Sequence, residues 1–222
     1  MTDFILASAS PARLAVLAAA GIDATVHVSG VDEDAITLAH PQATPAELVT
    51  LLAVAKAEAV FETIGADITD GVIVGCDSML HIRGDLVGKP KTVERARAQW
   101  HKMSGHSGDL LTGHAVLQVT DGELVARATG TEVTGLRFGT PTAVELEAYL
   151  ASGEPLEVAG SCTLDGLGGW FIDGVDGDPS SVIGISLPLT RRLLADLRLT
   201  VTDFWRAGTV PPTASAIDPK DR

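Results

Sequence analysis

The first residues that could do chemistry lie where an apolar strand pattern meets a helical one. The apolar run at residues 4–7 is followed by Ser8, and an alanine- and leucine-rich helical pattern begins at Pro11. Ser10 is suited to cap this helix because its hydroxyl can accept from a free backbone N–H, and proline is favoured at the first helical position. Free N–H groups, the positive end of the helix dipole and the guanidinium of Arg13 would then converge. The pattern predicts either a site for an anion such as phosphate or an ordinary capped helix.

Two more charged residues follow the next predicted elements. Glu33 lies in an acidic segment just past the second predicted strand, residues 25–28, where it is either simply solvated or part of a site. A capping box from Thr44 to Glu47 opens a long helix, and Lys56 lies at the edge of the buried stripe of that helix. A lysine in this position either extends its ammonium group to water or binds a ligand. Both residues are therefore candidates whose roles depend on what lies near them.

One further charged residue follows a predicted buried strand, and another lies in a later loop. The strand at residues 72–76 has four apolar residues in five, and we expect Asp77 and Ser78 at its carboxyl end. Ligand sites in open α/β sheets lie at that end of the strands. Lys89 follows in a Gly-Lys-Pro loop, just before a helix capped by Thr92. Asp77 and Lys89 are therefore further candidates for a binding or catalytic site.

In this order and context, the segments resemble one family, the Maf-type nucleoside triphosphate pyrophosphatases. The resemblance extends from Ile5 to about Leu194. The segments that carry it are Ser8-Ala9-Ser10-Pro11-Ala12-Arg13, Val31-Asp32-Glu33, Ala55-Lys56-Ala57, Gly75-Cys76-Asp77-Ser78, Gly88-Lys89-Pro90, Met103-Ser104-Gly105, Thr112-Gly113, Tyr149-Leu150-Ala151-Ser152-Gly153-Glu154-Pro155-Leu156 and Ala159-Gly160. The combination is far more specific than any single segment.

The resemblance implies hydrolysis of a nucleoside triphosphate, standard or non-standard, between its α and β phosphates. The products would be a nucleoside monophosphate and pyrophosphate, and the cofactor a divalent metal cation, Mg²⁺ or Mn²⁺. The substrate-binding residues that it implies are Ser8, Ser10, Arg13, Lys56, Lys89 and Asp165. Glu33 and Asp77 would bind the metal, and Asp77 would also be the catalytic proton acceptor.

This chemistry is consistent with the residue types. A triphosphate is a polyanion, and the transition state of its hydrolysis spreads charge over phosphate oxygens, so cations and a helix N-terminus can stabilise it. Two carboxylates can hold Mg²⁺ or Mn²⁺, which prefer oxygen ligands. A water beside such a cation has a lowered pKa, and Asp77 could take its proton.

A second function remains open beside the enzyme. The family is associated with septum formation, so the chain could be a regulatory protein that senses a nucleotide and acts through a partner. A sensor needs no activated water, so the pairing of Glu33 with Asp77 favours the enzyme. The resemblance also implies a homodimer.

Three residues leave the preferred base open. The family branch that acts on dTTP and UTP has arginine, threonine and glutamine where this chain has Ala12, Ser78 and Asp165. The branch that acts on 7-methyl-GTP has tyrosine, glutamine and glutamate there, so only the acid is kept. Asp165 either accepts from a donor edge of the base or belongs to a glycine-rich turn.

The pattern of elements predicts an α/β protein in which a mixed twisted sheet is flanked by helices, with two lobes around a nucleotide-binding cleft. Strands at residues 110–119 and 124–134 flank Asp121-Gly122, which is a strong hairpin signal. We expect one domain over residues 1–205. The polar, proline-containing residues 206–222 are predicted to form a disordered tail.

Composition limits the classes of partner. The chain has 222 residues with 29 acidic and 16 basic side chains, a formal net charge of −13. That charge opposes binding to nucleic acid or to an anionic membrane, and no run approaches the roughly 20 apolar residues of a membrane helix. With no signal-peptide pattern, we expect a cytoplasmic protein in which Cys76 and Cys162 are buried free thiols.

Overall fold

A computed structural model describes residues 2–206 of the chain. Seven strands and seven α-helices are found in this range. The strands are β1 (Asp3–Leu6), β2 (Thr25–Val26), β3 (Asp70–Ile82), β4 (Asp85–Val87), β5 (Ser107–Thr120), β6 (Glu123–Phe138) and β7 (Ile172–Asp176). The helices are α1 (Pro11–Ala19), α2 (Glu33–Ala39), α3 (Pro45–Ile64), α4 (Val93–Met103), α5 (Ala143–Ala151), α6 (Pro179–Ile183) and α7 (Leu187–Asp196).

All seven strands belong to one mixed sheet. The order is β2, β1, β3, β5, β6, β7, and β4 pairs with the far end of β3. β1 runs parallel to both β2 and β3, whereas the other pairs are antiparallel. Helices pack on the sheet, so the predicted fold class, a mixed α/β sheet flanked by helices, is confirmed.

The long central strands pass through differently packed regions. One end of the sheet lies between two layers: α3 covers one face with Ala53, Ala57 and Val60, and α1 and α7 cover the other. At the other end, β3 and β5 pack against α4 and α5 around the fully buried Trp100. Val74 and Cys76 of β3 belong to the first region, and Leu80 and Ile82 to the second. Asp77 and Ser78 therefore lie at the crossing between the two regions.

Several local sequence signals predict elements that the structure contains. Thr44 and Thr142 both make complete capping boxes, at the starts of α3 and α5. Asp121 and Gly122 connect β5 to β6 with φ of 49° and 81°, the left-handed values that a tight hairpin requires. The two cysteines are buried and free, as expected.

The structure differs from the sequence prediction in the length of β3 and in the acidic segment. The strand does not end at Cys76 but continues to Ile82, because Asp77 and Ser78 pair with Gly113 and Thr112 of β5. The acidic segment that contains Glu33 leads into a helix that the sequence pattern does not predict. Asp32 caps the short helix α2 by accepting from the backbone N–H of Ala35, and Glu33 is the first residue of that helix.

The predicted tail falls, apart from Arg206, outside the described residues. Arg206 itself donates its backbone N–H to Gly21 at 2.9 Å, and its Nε lies 2.9 Å from a carboxylate oxygen of Asp23. Within residues 2–206, no helix is both long enough and apolar enough to cross a membrane.

Candidate active site

The polar residues gather where β1 ends. β1 pairs with residues 71–74 of β3, and β4 pairs with residues 80–82. Between these partners, residues 75–79 of β3 have a ladder neighbour only on the β5 side within the described chain. This gap forms a notch in the sheet edge, at the carboxyl end of β1, where α/β sheets bind ligands.

The start of α1 borders the notch. Ser10 caps the helix by accepting from the backbone N–H of Arg13 at 3.4 Å, and Pro11 occupies the first turn. The hydroxyl of Ser8 accepts from the backbone N–H of Ser10 at 3.2 Å. The predicted capped helix is therefore present, with its first turn carrying Arg13.

The guanidinium of Arg13 is held by three hydrogen bonds. Nε donates to the carbonyl oxygen of Gly184 at 2.7 Å, Nη1 to Ser8 Oγ at 3.0 Å, and Nη2 to Ser78 Oγ at 3.3 Å. A guanidinium has five N–H groups. Two of them therefore have no partner among the described residues and are available to an anion.

Lys56 bridges the two carboxylates of the site. Its Nζ lies 2.7 Å from Glu33 Oε1 and 2.6 Å from Asp77 Oδ1. Lys56 and Asp77 are 8% and 6% exposed, so the lysine does not extend to bulk water. The structure thus joins α2, α3 and β3 through one ammonium group, and it brings Glu33 and Asp77 to the same cation.

Two glycines allow α3 to lie close enough for this contact. A Cβ on Gly75 of β3 would lie well inside van der Waals contact of the carbonyl oxygen of Ala53. A Cβ on Gly113 of β5 would overlap the backbone of Val49 and Thr50 in the same way. Only a residue without a side chain permits so close an approach of helix to sheet.

Opposite effects act on the pKa values of the two carboxylates. Burial raises the pKa of Asp77 above its ordinary value, although the charges of Lys56 and Arg13 act against it. Partial burial also acts to raise the pKa of Glu33, but the hydrogen bond from Lys56 and the charges of Lys56, Lys89 and Arg13 outweigh it. The pKa of Glu33 is therefore lowered. Of the two, Asp77 is the group better suited to accept a proton.

The oxygens of the site suit a hard divalent cation. Asp77 Oδ2 is buried and has no hydrogen-bond partner among the described residues. An orphaned buried carboxylate oxygen is costly unless something binds it, and carboxylate oxygen is what Mg²⁺ and Mn²⁺ prefer. Within residues 2–206, no group of three or more His, Cys, Asp or Glu side chains forms a ready-made metal cage. The residues present fit an ion held by two carboxylates and completed by water and substrate oxygens.

Lys89 and Asp165 are less closely tied to the site. Lys89 is exposed in the loop after β4, yet it is near enough for its charge to lower the pKa of Glu33. That loop is attached to a later segment, since the backbone N–H of Gly160 donates to Gly88 at 3.3 Å. Asp165 is exposed in a bend, and its side chain makes no hydrogen bond with another residue of 2–206. Its predicted contact with the base stays a prediction.

Sequence reasoning missed the buried polar residues behind Arg13. Thr112 and His114 of β5 are completely buried, and neither was given a role. The ring of His114 lies 3.0 Å from the carbonyl oxygen of Thr112 through Nδ1, and Nε2 accepts from the backbone N–H of Ser186 at 2.8 Å. Nε2 must then be the unprotonated nitrogen, so Nδ1 carries the proton. Burial lowers the pKa of His114 to about 4, which keeps the ring neutral.

Comparison with known proteins places the chain in a family. A family model for Maf-like proteins matches residues 3–197. A nucleoside triphosphate pyrophosphatase from Saccharopolyspora erythraea is 58% identical over 212 residues, covering 95% of this chain and 99% of the relative. Proteins of the same name from Rhodococcus opacus and Nocardia farcinica are each 58% identical, covering 92% of this chain and 97% of their own length. The chain therefore belongs to the Maf family.

Proposed function

We propose that this protein hydrolyses nucleoside triphosphates at the α–β phosphoanhydride bond, releasing a nucleoside monophosphate and pyrophosphate. The observation that carries the proposal is the bridge of Lys56 between Glu33 and Asp77, beside the guanidinium of Arg13. The names of its relatives support the same activity. A site with two carboxylates and several cations suits a reaction in which a polyanion is positioned and cleaved.

The cations bind and orient the phosphates. Arg13 offers its two free N–H groups and contacts three fixed partners, so little conformational freedom is lost on binding. Lys89, in the exposed loop after β4, is near enough for its charge to lower the pKa of Glu33. These charges stabilise the oxygens on which negative charge grows in the transition state.

Asp77 removes the proton. The water oxygen bonds to phosphorus as the α–β bridging bond breaks, pyrophosphate or the monophosphate leaves with the bonding electrons, and the water proton moves to the carboxylate of Asp77. Asp77 Oδ2 has no other partner among residues 2–206, so it is available for this transfer. A positioned general base contributes roughly 10²- to 10⁴-fold to the rate.

Metal dependence is part of the proposal. Glu33 and Asp77 would hold Mg²⁺ or Mn²⁺, which when bound neutralises phosphate charge and lowers the pKa of nearby water. A carboxylate has about four lone-pair sites, so Asp77 can hold the ion, contact Lys56 and still accept the water proton.

The proposal includes a homodimer in the cytoplasm that acts on nucleotides and binds neither nucleic acid nor membrane. The homodimer comes from the resemblance to the family, and the net charge of −13 supports the exclusion of polyanionic partners. Light scattering on the purified protein tests the dimer, and cell fractionation tests the location.

A nucleotide panel tests the activity. The protein is incubated with standard and non-standard nucleoside triphosphates plus Mg²⁺ or Mn²⁺, and the products are separated by chromatography. We expect monophosphate and pyrophosphate as the primary products for at least one base. Nucleoside diphosphate and orthophosphate as primary products would contradict the proposal. Tight binding without turnover across the panel would favour a nucleotide sensor instead.

A further inference from the structure

A chain of hydrogen bonds extends behind Arg13 into the core. Arg13 Nη2 lies 3.3 Å from Ser78 Oγ, which lies 3.0 Å from Thr112 Oγ1. Thr112 Oγ1 in turn lies 3.1 Å from the carbonyl oxygen of Ser181. Ser78 on β3 and Thr112 on β5 are direct partners in the antiparallel register. The chain therefore joins α1, two central strands and α6.

Chemistry fixes the direction of every bond in this chain. A carbonyl oxygen can only accept, so the hydroxyl proton of Thr112 points to Ser181. Thr112 Oγ1 must then accept from Ser78, whose single proton is thereby used. A guanidinium can only donate, so Arg13 faces the lone pairs of Ser78. The hydroxyl protons of Thr112 and Ser78 are both used in this way, so neither hydroxyl directs a proton at Arg13.

Burial makes the arrangement rigid. Thr112 and Ser181 are both fully buried, so water cannot replace a missing partner. Arg13 Nε also donates to Gly184, at the end of the same short helix that contains Ser181. The guanidinium is thus fixed to α6 directly through Nε and indirectly through Thr112.

We propose that Thr112 is a positioning residue for phosphate binding, which acts through Ser78 on Arg13. Thr112 does not touch the notch, yet it holds Ser78 with its lone pairs toward Arg13, and so orients the two free N–H groups of the guanidinium toward the anion. This inference rests on the proposed function for its kinetic readout. It does not depend on which base the protein prefers.

Three single variants test the inference. Thr112→Val keeps the shape and removes the hydroxyl, so we expect kcat/KM for the best nucleotide of the panel to fall about tenfold. Thr112→Ser restores the hydroxyl and should recover most of that loss. Thr190→Val is the matched control, because Thr190 is a buried threonine whose Oγ1 has no partner among the described residues. It should leave kcat/KM unchanged.

A double-mutant cycle separates positioning from general structural damage. If Thr112 acts through Arg13, adding Thr112→Val to Arg13→Ala should cost nothing further, because the group to be positioned is gone. A merely structural effect would multiply with that of Arg13→Ala. Should Thr112→Val fail to fold by circular dichroism, Ser78→Ala breaks the same chain and is entered in the same cycle.

Binding of inorganic triphosphate provides a readout that needs no turnover. Calorimetric titration of wild type, Thr112→Val and Thr190→Val should show about tenfold weaker binding for Thr112→Val alone. If wild type binds triphosphate but cleaves no nucleotide, the proposed function fails while the positioning inference is still tested by these affinities. Wild-type affinity and wild-type kcat/KM in a folded Thr112→Val, or multiplicative effects with Arg13→Ala, would overturn the inference.

Discussion

At the scale of single residues, the central feature is a buried ammonium group between two carboxylates. Lys56 is the partner of Asp77 Oδ1 at 2.6 Å and of Glu33 Oε1 at 2.7 Å. A buried ion pair contributes little net stability when complete, but removing one partner leaves an uncompensated buried charge. The same lysine therefore favours the charged form of Asp77, whereas burial raises the pKa of that carboxyl.

Replacement of Lys56 by methionine should destabilise the protein in a pH-dependent way. Without the lysine, the pKa of Asp77, already raised by burial, rises further. A group whose pKa is raised on folding loses stability as pH rises through its folded pKa. We expect Lys56→Met to cost about 3 kcal/mol at pH 8 and less at pH 5, measured by urea unfolding.

Lys102→Met is the control for that measurement. Lys102 pairs with Asp85 at 2.5 Å, but both side chains are more than half exposed, so the loss should be under about 1 kcal/mol. An equal loss of stability at both pH values in Lys56→Met would show that the charge of Asp77 is not what Lys56 compensates.

His114 predicts a separate pH effect on stability. Burial lowers its pKa from 6.5 to about 4, so between these values the unfolded chain binds a proton that the folded protein does not. Stability is complete above pH 6.5 and falls as pH falls toward 4, by about 1.4 kcal/mol per pH unit from this group. His114→Gln keeps an acceptor but does not titrate. Its free energy of unfolding should fall less steeply over this range, and an identical slope would contradict the assignment.

Residue types indicated the charged residues of the site but not the buried contacts that position them. Arg13, Glu33, Lys56 and Asp77 stand at predicted element ends or helix edges, where a charge needs an explanation. The partnership of Lys56 with both acids could not be derived, because it depends on how closely α3 lies on the sheet. Thr112 belongs to a segment that carries the family resemblance, but a threonine in a strand is ordinary and does not indicate its hydrogen-bond partners.

At the scale of elements, the position of α3 decides whether the site exists. The helix approaches Gly113 of β5 at Val49, and it approaches Gly75 of β3 at Ala53 and Ala57. Lys56 lies between those two alanines. A glycine inside a strand weakens that strand. Its presence opposite a helix therefore indicates that the helix backbone comes too close for a side chain. The packing of α3 and the geometry of the site therefore both depend on Gly75 and Gly113.

Gly113→Ala should push α3 away from the sheet. The added methyl group would overlap the backbone of Val49, and overpacking of this kind costs about 1–3 kcal/mol. Because Lys56 moves with the helix, we also expect a loss of kcat/KM larger than the loss of stability explains. Gly135→Ala on β6 is the control, since its methyl group would meet only ordinary contacts. Unfolding by urea and steady-state kinetics on both variants decide the matter, and wild-type behaviour of Gly113→Ala would refute the tight packing.

Local signals gave most elements and failed where tertiary contacts decide. Capping boxes located α3 and α5, and Asp-Gly located the β5–β6 hairpin. The sequence pattern predicts too short a β3, because Asp77 and Ser78 interrupt an apolar run, although both residues pair with β5. α2 escaped prediction because none of its residues is buried, so it has no apolar stripe to detect.

At the scale of the whole molecule, a strongly acidic protein must attract a polyanion. The net charge of −13 opposes nucleotides at long range. Within the notch, the charges of Lys56 and Arg13 act on Asp77, and the charge of Lys89 acts on Glu33. A divalent cation on the two carboxylates would add to this local reversal of the field.

Metal should stabilise the whole protein without being needed for folding. Lys56 holds both carboxylates, so the chelator-treated protein should stay folded. Mn²⁺ at 100 times its Kd should raise Tm by about 5–10 °C. Glu33→Gln should lose much of this shift, whereas Glu58→Gln, which removes an exposed partner of Arg127, should keep it. Calorimetry with and without Mn²⁺ measures both, and equal shifts in the two variants would exclude Glu33 as a ligand.

The central claim is that Asp77 accepts the proton when the α–β phosphoanhydride is cleaved in this notch. Asp77→Asn tests it most directly. The variant keeps the size of the side chain but removes its charge and its basicity. With the best nucleotide and Mg²⁺, kcat should fall by at least ~10²-fold, while inorganic triphosphate still binds, because the bonds of Arg13 do not involve Asp77. Asp85→Asn, in an exposed pair with Lys102, should keep wild-type kcat. A folded Asp77→Asn with near-normal kcat would contradict the account.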